Sequence, residues 1–248
     1  MIRAISFDLF DTLVDLDLSG LPTITLGHEQ LPSTVGALYE IAPKEPFRDL
    51  ESFAEALSTV DRDIRKKQIT EGIEISTKAR FERFIDSRFD LKKTEFSDLV
   101  EALRAKHMEL FRQQVTVPAH HTGVLEELGK RFPLFVCSNF TDSSCANQVL
   151  RESNFTEYFQ EIVISDDVGI RKPRKEIFDV VIKASGFCAS EILHIGDNLE
   201  ADVRGAKSCA MQAAWITRQI PDSTKTLRSY NGPDPDFEIS DLGELLNF

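Results

Sequence analysis

An apolar run that ends abruptly in a carboxylate is the feature that most constrains the fold of this chain. Residues 5–14 read Ile-Ser-Phe-Asp-Leu-Phe-Asp-Thr-Leu-Val, so a short apolar strand leads directly to Asp8. Strands of continuous apolar character are typical of parallel sheets covered on both faces. Open α/β sheets bind ligands just beyond the carboxyl ends of their strands, and Asp8 is expected at such a position. A lone aspartate at such a position more often caps a turn or a helix. A functional interpretation of Asp8 therefore depends on similar stretches later in the chain.

Three later stretches repeat this design. They are residues 135–139 (Phe-Val-Cys-Ser-Asn), residues 169–173 (Gly-Ile-Arg-Lys-Pro) and residues 192–202, which hold two aspartates. In that order after Asp8, they resemble the four motifs of the haloacid dehalogenase superfamily, whose members are mostly phosphatases. One short motif is weak evidence, whereas four in the right order are strong evidence. The resemblance covers roughly residues 1–16 and 116–248.

Beyond residue 118 the pattern alternates between strands and helices. Strands are predicted at about 134–137, 161–165, 192–195 and 212–217, and helices at about 121–131, 143–153, 174–185 and 199–209. Such alternation implies right-handed crossovers and an α/β fold, a doubly wound parallel sheet with helices on both faces. Residues 218–236 are rich in proline and glycine and are predicted as a loop, followed by an edge strand at 237–239 and a helix at 242–247.

A helical segment separates the first motif from the second. Turn-forming residues punctuate residues 15–43 around one short helix at 34–41. From Phe47 onward apolar residues recur every three or four positions, which predicts an amphipathic helix, and two more helices are predicted at about 76–89 and 95–114. The resemblance implies that these helices form the inserted helical cap of the superfamily. The expected domains are a core of residues 1–16 and 116–248 and a cap of residues 17–115.

The resemblance also implies a role for residues in the first three motifs. Asp8 would be a nucleophile that attacks phosphorus and forms an aspartyl-phosphate. Ser138 matches the hydroxyl that binds a phosphoryl oxygen, and Asn139 beside it would donate to the same group. Lys172 matches the lysine that offsets negative charge as nucleophile and phosphoryl group approach.

A magnesium site follows from the same resemblance. Mg²⁺ prefers near-octahedral oxygen ligation from one or two carboxylates, waters and substrate phosphate. The expected protein ligands are the carboxylates of Asp8 and Asp197 and the backbone carbonyl of Phe10. Asp202 would orient Lys172 or a metal-bound water, although an acid in the first turn of a helix also interacts favourably with the helix dipole.

Phe10 departs from the phosphatase pattern. Family phosphatases usually carry an aspartate two residues after the nucleophile, where it protonates the leaving group. Asp11 occupies the next place, where the family usually has glycine. Consecutive side chains on an extended segment point to opposite sides, so Asp11 is not assigned the missing role.

An aromatic residue at position 10, with Ser138 and Asn139, also resembles the 2-haloacid dehalogenases, which displace halide without a metal. Two features argue against that function. Those enzymes carry serine at the place of Asp197, and they use an early cap arginine. No arginine occurs here between residues 3 and 48.

Charge and hydropathy argue against some classes of partner. The formal net charge of −12 and the isoelectric point near 4.9 argue against nucleic acid and anionic membranes as partners. The first strand begins without a leader-like segment, and no apolar run approaches about eighteen residues, which predicts a cytoplasmic protein. Within residues 61–83, seven basic residues outnumber five acidic ones. This stretch is either a lid surface for an anionic substrate or a solvated helix face with ion pairs.

Three functions are compatible with these observations. The leading hypothesis is a magnesium-dependent phosphatase that acts on a small phosphorylated metabolite through Asp8. The alternatives are a metal-independent 2-haloacid dehalogenase and a catalytically weak phosphate-binding or regulatory protein. The sequence indicates a small anionic substrate without naming it, and it leaves the oligomeric state open.

Overall fold

The computed structural model describes residues 1–248, and its contacts divide the chain into two compact units. Unit 1 comprises residues 1–15 and 116–248, and unit 2 comprises residues 16–115. The strands are β1 (Ala4–Phe7), β2 (Asp15–Leu16), β3 (Thr23–Leu26), β4 (Glu29–Pro32), β5 (Val115–Thr116), β6 (Leu134–Ser138), β7 (Phe159–Ile164), β8 (Ile192–Gly196), β9 (Gln212–Ile216) and β10 (Phe237–Ile239).

The helices are numbered in the same way. They are α1 (Val35–Ile41), α2 (Leu50–Glu71), α3 (Thr77–Asp86), α4 (Lys93–Arg112), α5 (His121–Gly129), α6 (Ser143–Glu152), α7 (Ser165–Val168), α8 (Lys175–Ser185), α9 (Gly205–Ser208) and α10 (Ser223–Ser229). Short 3₁₀ helices span Leu18–Gly20, Thr156–Tyr158, Ala189–Glu191 and Leu242–Asn247, and a π-helix spans Leu199–Arg204. None of these helices combines the length and the apolar character needed to cross a bilayer.

Unit 1 is built around a six-stranded parallel sheet in the order β10-β9-β8-β1-β6-β7. Every residue of β1 is buried, as expected for a central strand with both faces covered. Phe7, the last residue of β1, stands opposite Ile195 of β8 and Val136 of β6, and these two strands continue only one and two residues further. The predicted α/β fold with a doubly wound parallel sheet is confirmed.

Large aromatic side chains fill part of the core of unit 1. Trp215 of β9, Phe135 of β6 and Phe178 of α8 are almost completely buried in one cluster. Each such side chain contributes about 2–3 kcal/mol by leaving water. Helix and sheet are therefore joined by apolar burial below the edge at which the motif residues lie.

Two predictions near the end of the chain need correction. Residues 218–236, predicted as a loop, contain α10, which begins where Asp222 caps the backbone N–H of Lys225 at 2.9 Å. Leu227 of this helix packs against the core cluster, which explains why a proline-rich stretch still holds a helix. The single helix predicted at 199–209 is instead a π-helix continued by α9.

Unit 2 consists mainly of α1 to α4, which share an aromatic core. The ring centroid of Phe47 lies 5.0 Å from that of Phe53 and 5.9 Å from that of Phe84. The helix predicted from Phe47 begins instead at Leu50, because Asp49 forms a capping box with the residue three positions later. Phe47 lies before the cap but is still buried in the core of unit 2. The spacing of apolar residues therefore predicted a core residue correctly and the start of the helix wrongly.

A hairpin in unit 2 was not predicted. β3 and β4 pair antiparallel on either side of a turn in which Gly27 has a φ of 58°, a left-handed conformation that favours glycine. Ile24 is the one buried residue in the two strands. Polar and apolar residues alternate in β3 over only four positions, and they do not alternate in β4, so the pattern is too short to identify a hairpin.

His107 in α4 gives unit 2 a predictable response to acid. Its Nδ1 lies 2.8 Å from the Thr34 hydroxyl, and its ring packs edge-on against Phe81. Burial lowers the pKa of His107 from 6.5 to about 3, and the charge of Arg80 adds to the effect. Between those pH values the unfolded chain binds more protons than the folded chain. We therefore expect the free energy of unfolding to be highest above pH 6.5 and to fall as the pH drops towards 3.

Urea unfolding of the parent and of His107→Gln isolates this effect, because glutamine keeps an acceptor for the Thr34 hydroxyl but does not titrate. Each pH unit below 6.5 is expected to cost the parent up to about 1.4 kcal/mol more than the variant. Parallel pH profiles for the two proteins would contradict the assignment.

Candidate active site

Three neighbouring strands bring the motif residues together at one edge of the sheet. Asp8 follows β1, Ser138 ends β6 and Asp197 follows β8. These strands are adjacent in the order β8-β1-β6, and the carboxyl ends of parallel strands meet at one edge. The Asp8 N–H donates to the Ile195 carbonyl at 2.8 Å, which fixes the backbone of Asp8 against β8.

Lys172 reaches this edge from the loop between α7 and α8. Its buried ammonium group donates to Asp8 Oδ1 at 2.8 Å, to Asp202 Oδ1 at 2.6 Å and to the Cys137 carbonyl at 2.6 Å. Three acceptors thus match the three N–H bonds of the lysine. Burial alone would lower the pKa of Lys172, but the charges of Asp202 and Asp8 outweigh it and raise the pKa. Lys172 is therefore charged and held in one position.

Asn139 fixes the backbone of this lysine. Its side-chain amide donates to the Lys172 carbonyl at 3.0 Å, and its side-chain oxygen accepts from the Lys172 N–H at 2.7 Å. Gly169, with a φ of 74°, ends α7 in a left-handed conformation and turns the chain into the lysine loop. The structure thus gives Asn139 a positioning contact that the sequence did not reveal, and substrate binding by Asn139 stays a prediction.

Asp202 is held by three groups. Its Oδ1 accepts from Lys172 and lies 3.0 Å from His194 Nε2, and its Oδ2 accepts from the Asn198 N–H at 3.0 Å. A carboxylate can only accept, so His194 carries its proton on Nε2 and accepts from the Ser6 hydroxyl at 3.1 Å. Burial raises the pKa of Asp202, but Lys172 and His194 outweigh it, and the net pKa is lowered. The hydrogen bond from Lys172 to Asp202 is consistent with one of the two roles predicted for Asp202, the orientation of Lys172.

Gly196 and Trp215 support the site without having been predicted to do so. A Cβ atom at Gly196 would lie 2.2 Å from Cγ of Asp202, so the carboxylate occupies the space of the missing side chain. The indole N–H of Trp215 donates to the Asp197 carbonyl at 2.7 Å. Both contacts join residues on different elements, which a local sequence pattern does not reveal.

The carboxylates outnumber the cations at this edge. Ligand atoms of Asp8, Asp197 and Asp202 all lie within 4.8 Å of one another, and Lys172 is the ammonium that bonds to two of them. Burial raises the pKa of Asp197 to about 8, and the charges of Asp202, Asp8 and Asp11 add to the shift. Burial also raises the pKa of Asp8 more than Lys172 lowers it. Such repulsion favours a bound cation, and a set of carboxylate oxygens suits Mg²⁺.

Ser138 presents a buried hydroxyl to the same edge. Its Oγ has no partner in hydrogen-bonding geometry, although it lies near enough to Asp8 to contribute a small lowering of the pKa of that carboxyl. A buried hydroxyl without a partner typically costs about 1–3 kcal/mol. An oxygen of a bound ligand would remove that cost.

Phe10 and Asp11 occupy the part of the first motif that departs from the phosphatase pattern. The Phe10 ring packs on Phe140, with centroids 4.7 Å apart. Asp11 has a φ of 57°, a conformation that favours glycine and that aspartate tolerates better than most residues. Its charge raises the pKa of Asp197, so Asp11 lies near the carboxylates. Metal ligation by the Phe10 carbonyl stays a prediction.

The basic stretch of unit 2 divides into paired and cavity-lining side chains. Arg80 forms two hydrogen bonds with Asp61, at 2.5 and 2.8 Å, and Lys78 lies 3.4 Å from Glu101. A cavity of about 670 Å³ in this unit is lined by side chains that include Lys66, Lys67 and Arg83. Ion pairing, one of the two interpretations of this basic stretch, therefore accounts for Arg80 and Lys78.

A sequence model of the haloacid dehalogenase-like hydrolases matches residues 49–216. The chain is also similar to 5-amino-6-(5-phospho-D-ribitylamino)uracil phosphatase YigB of Escherichia coli (strain K12). That match is 26% identical over 246 residues and covers 98% of this chain and 94% of YigB.

Two further proteins resemble the chain. The HAD-hydrolase YfnB of Bacillus subtilis (strain 168) is 32% identical over 123 residues, a match that spans only 49% of each protein. A solved structure of YfnB bound to magnesium aligns with a TM-score of 0.61 at 22% identity, covering 99% of this chain and 97% of that one. The structure of 2-haloacid dehalogenase from Pseudomonas syringae pv. Tomato DC3000 aligns with a TM-score of 0.71 at 23% identity, covering 100% of this chain and 97% of that one. At these identities the two structures support the fold alone.

The contact between Gly196 and Asp202 generates a prediction about stability. Gly196→Ala should push the carboxylate away from Lys172 and lower the free energy of unfolding by about 1–3 kcal/mol. Gly123→Ala is the matched control, because a Cβ atom at Gly123 in α5 meets nothing within 4 Å. Urea unfolding should show the control to be as stable as the parent or slightly more stable. Equal stability of the two variants would show that the Asp202 side chain moves aside without cost.

Proposed function

The chain belongs to the family of haloacid dehalogenase-like hydrolases, and we propose that it is a magnesium-dependent phosphatase acting on small phosphorylated metabolites through Asp8. The observation that carries this proposal is the cluster of charged and polar side chains at the carboxyl edge of the sheet. Lys172 holds Asp8 at 2.8 Å beside the unpartnered hydroxyl of Ser138, and Asp197 supplies a further carboxylate. A nucleophile, a cation and a vacant donor thus lie together, which is the set that phosphoryl transfer uses.

In the proposed reaction, Asp8 attacks phosphorus and the bond to the leaving oxygen breaks. Because Lys172 donates to Oδ1, we assign the attack to Oδ2 of Asp8. The ammonium of Lys172 and the hydroxyl of Ser138 stabilise the charge that develops on the phosphoryl oxygens. Water then attacks phosphorus in the aspartyl-phosphate, the bond to Asp8 breaks, and inorganic phosphate leaves.

Asp8 and Asp197 are the residues that would hold Mg²⁺. Asp202 is occupied by Lys172, His194 and the Asn198 N–H, so we assign it to orientation of the lysine rather than to the metal. When bound, the ion supplies charge neutralisation at the phosphoryl group. The sequence match to YfnB, 32% identical over 123 residues, supports this part of the proposal, because YfnB has been solved with magnesium bound.

The relatives support a phosphorylated small molecule as the substrate class. YigB, which is matched over nearly its whole length, is a phosphatase by name. We propose a phosphate monoester of similar general kind for this chain, without carrying over the particular substrate of YigB.

A 2-haloacid dehalogenase is the second candidate function. The aromatic residue at position 10 favours it, because the Phe10 ring packs on Phe140 where a phosphatase usually has its acid. The carboxylate of Asp197 argues against it, since those enzymes carry serine there. Assays of an aryl phosphate with and without Mg²⁺, beside 2-haloacids, separate the two functions from a protein that binds phosphate without turnover.

Asp8→Asn should abolish turnover of an aryl phosphate while the chain stays folded, because the amide is nearly isosteric but a very poor nucleophile. Asp179→Asn is the matched control, since Asp179 is exposed on α8. We expect a loss of more than about 10³-fold in kcat for the first variant and little change for the second. Mass spectrometry of the acid-quenched parent should find a phosphoryl group on the peptide that contains Asp8. Substantial activity in Asp8→Asn would remove Asp8 from the mechanism.

Phe10→Asp tests whether the missing acid limits the reaction. General acid catalysis contributes about 10²- to 10⁴-fold, and its benefit grows with the basicity of the leaving oxygen. We therefore expect kcat on alkyl phosphates to rise more than kcat on aryl phosphates. Phe10 is partly exposed, so the loss of its packing on Phe140 should leave the variant folded, which thermal melts check. A folded variant that gains nothing on alkyl phosphates would mean that Asp11 or the substrate already supplies the proton.

A further inference from the structure

A second group of potential metal ligands lies away from the carboxylates of the candidate active site. His120 and His121 stand at the start of α5, and Asp241 caps the 3₁₀ helix Leu242–Asn247. His120 Nε2 lies 2.8 Å from Asp241 Oδ1 and 2.9 Å from Oδ2, and His121 Nε2 lies 3.9 Å from Oδ2. One ligand atom from each residue falls within 4.8 Å of the others. All three residues belong to unit 1.

The ring of His121 is fixed in a way that leaves one nitrogen unsatisfied. His121 is fully buried, and its Nδ1 lies 2.8 Å from the Leu13 carbonyl. A carbonyl only accepts hydrogen bonds, so Nδ1 carries the proton and Nε2 of the neutral ring carries a lone pair. That Nε2 is buried and has no hydrogen-bond partner. The second shell of a metal-binding histidine has the same form, with one ring nitrogen donating to a backbone carbonyl and the other available to the ion.

A lone pair and a carboxylate oxygen 3.9 Å apart do not stabilise each other, because both are electron donors. A cation between them would satisfy both, and His120 would add a second imidazole. Burial lowers the pKa of His121, and the nearby charge of Arg218 adds to the effect, but Arg218 forms an ion pair with Asp15. Asp241 also accepts from the Gly243 N–H through Oδ1 at 2.7 Å, which orients its carboxylate without using Oδ2.

We propose that His120, His121 and Asp241 bind a transition-metal dication, with Zn²⁺ as the best match. Two imidazole nitrogens and one carboxylate oxygen form a donor set that zinc accepts at about 2.0–2.2 Å, whereas Mg²⁺ prefers oxygen ligands alone. With such bonds, ligand atoms of a tetrahedral site lie about 3.4 Å apart. The 2.8 Å contact therefore opens and the 3.9 Å contact closes when the ion binds. The side chains of His120 and Asp241 are 53% and 31% exposed, which leaves the fourth position to water.

The site would act as a clamp within unit 1. It joins the start of α5 to the segment that follows β10, and through His121 it holds the carbonyl of Leu13, which belongs to the same stretch of residues 5–14 as Asp8. The ion would take the place of the contact between His120 Nε2 and Asp241, and the ring of His120 would then carry its proton on Nδ1. This inference is independent of the proposed phosphatase activity, because it uses none of the residues assigned to that reaction.

Calorimetric titration of ZnCl₂ into the untagged full chain, with Mg²⁺ in excess, tests the proposal. We expect one zinc site, with affinity lowered at least about 10- to 100-fold in His120→Gln. His121→Asn should lower it similarly, since its amide still donates to the Leu13 carbonyl but offers no ligand in place of Nε2. His28→Gln is the matched control, because His28 is exposed in unit 2, and its zinc affinity should equal that of the parent.

Two further measurements identify the site without an activity assay. Zinc at about 100 times its Kd should raise the Tm of the parent and of His28→Gln by roughly 5 °C or more, but not that of His120→Gln. Cobalt substituted for zinc should give visible bands of a tetrahedral site without thiolate charge transfer. The proposal is overturned if the parent binds no zinc, if His120→Gln and His121→Asn bind as the parent does, if Asp197→Asn abolishes binding, or if thiolate bands reveal cysteine ligands.

Discussion

The buried ammonium group of Lys172 is the interaction on which the arrangement at the sheet edge depends. It joins the carboxylate that follows β1, the carboxylate in the helix that follows β8 and the carbonyl of Cys137 in β6. A lysine this deeply buried is tolerated only because every N–H bond has an acceptor and the surrounding charges are negative. If one carboxylate is removed, the remaining charge stays buried and only partly compensated. The three strand ends are therefore coupled electrostatically as well as by the backbone ladder.

Charge balance links this lysine to ligand binding. Lys172 neutralises one negative charge, while Asp8, Asp197 and Asp202 together carry three when they are ionised. Burial and this excess negative charge together raise the pKa of Asp197, and the excess favours binding of a cation over binding of a bare anion. An anionic substrate would then bind more readily together with a metal ion than alone. A bound metal ion would thus let an acidic chain bind an anionic substrate without a basic surface around it.

Much of the fold and of the motif set could be predicted from the sequence, because strands and motifs are short stretches of consecutive residues. An apolar run that ends in Asp8, Ser138 or Asp197 marks a buried strand and its carboxyl end, and parallel topology brings such ends together. The features that could not be predicted depend on contacts between different elements of the fold. His194 lies in β8 and contacts Asp202 in the following π-helix through Nε2, and Gly196 leaves space for the same carboxylate; the apolar pattern of the strand reveals neither contact. The helix α10 was not predicted, because the prolines and glycines around it indicate a loop, although Asp222 is a typical N-cap residue.

Trp215 gives the protein a built-in optical probe. It is the sole tryptophan of the chain, it is fully buried, and its indole N–H donates to the backbone carbonyl of Asp197. Indole emission responds to the polarity and the hydrogen bonding around the ring, so a shift of that peptide group changes the fluorescence. A ligand of the carboxylate cluster that moves this peptide group would therefore change the emission of a single tryptophan at a known position, without a label and without turnover.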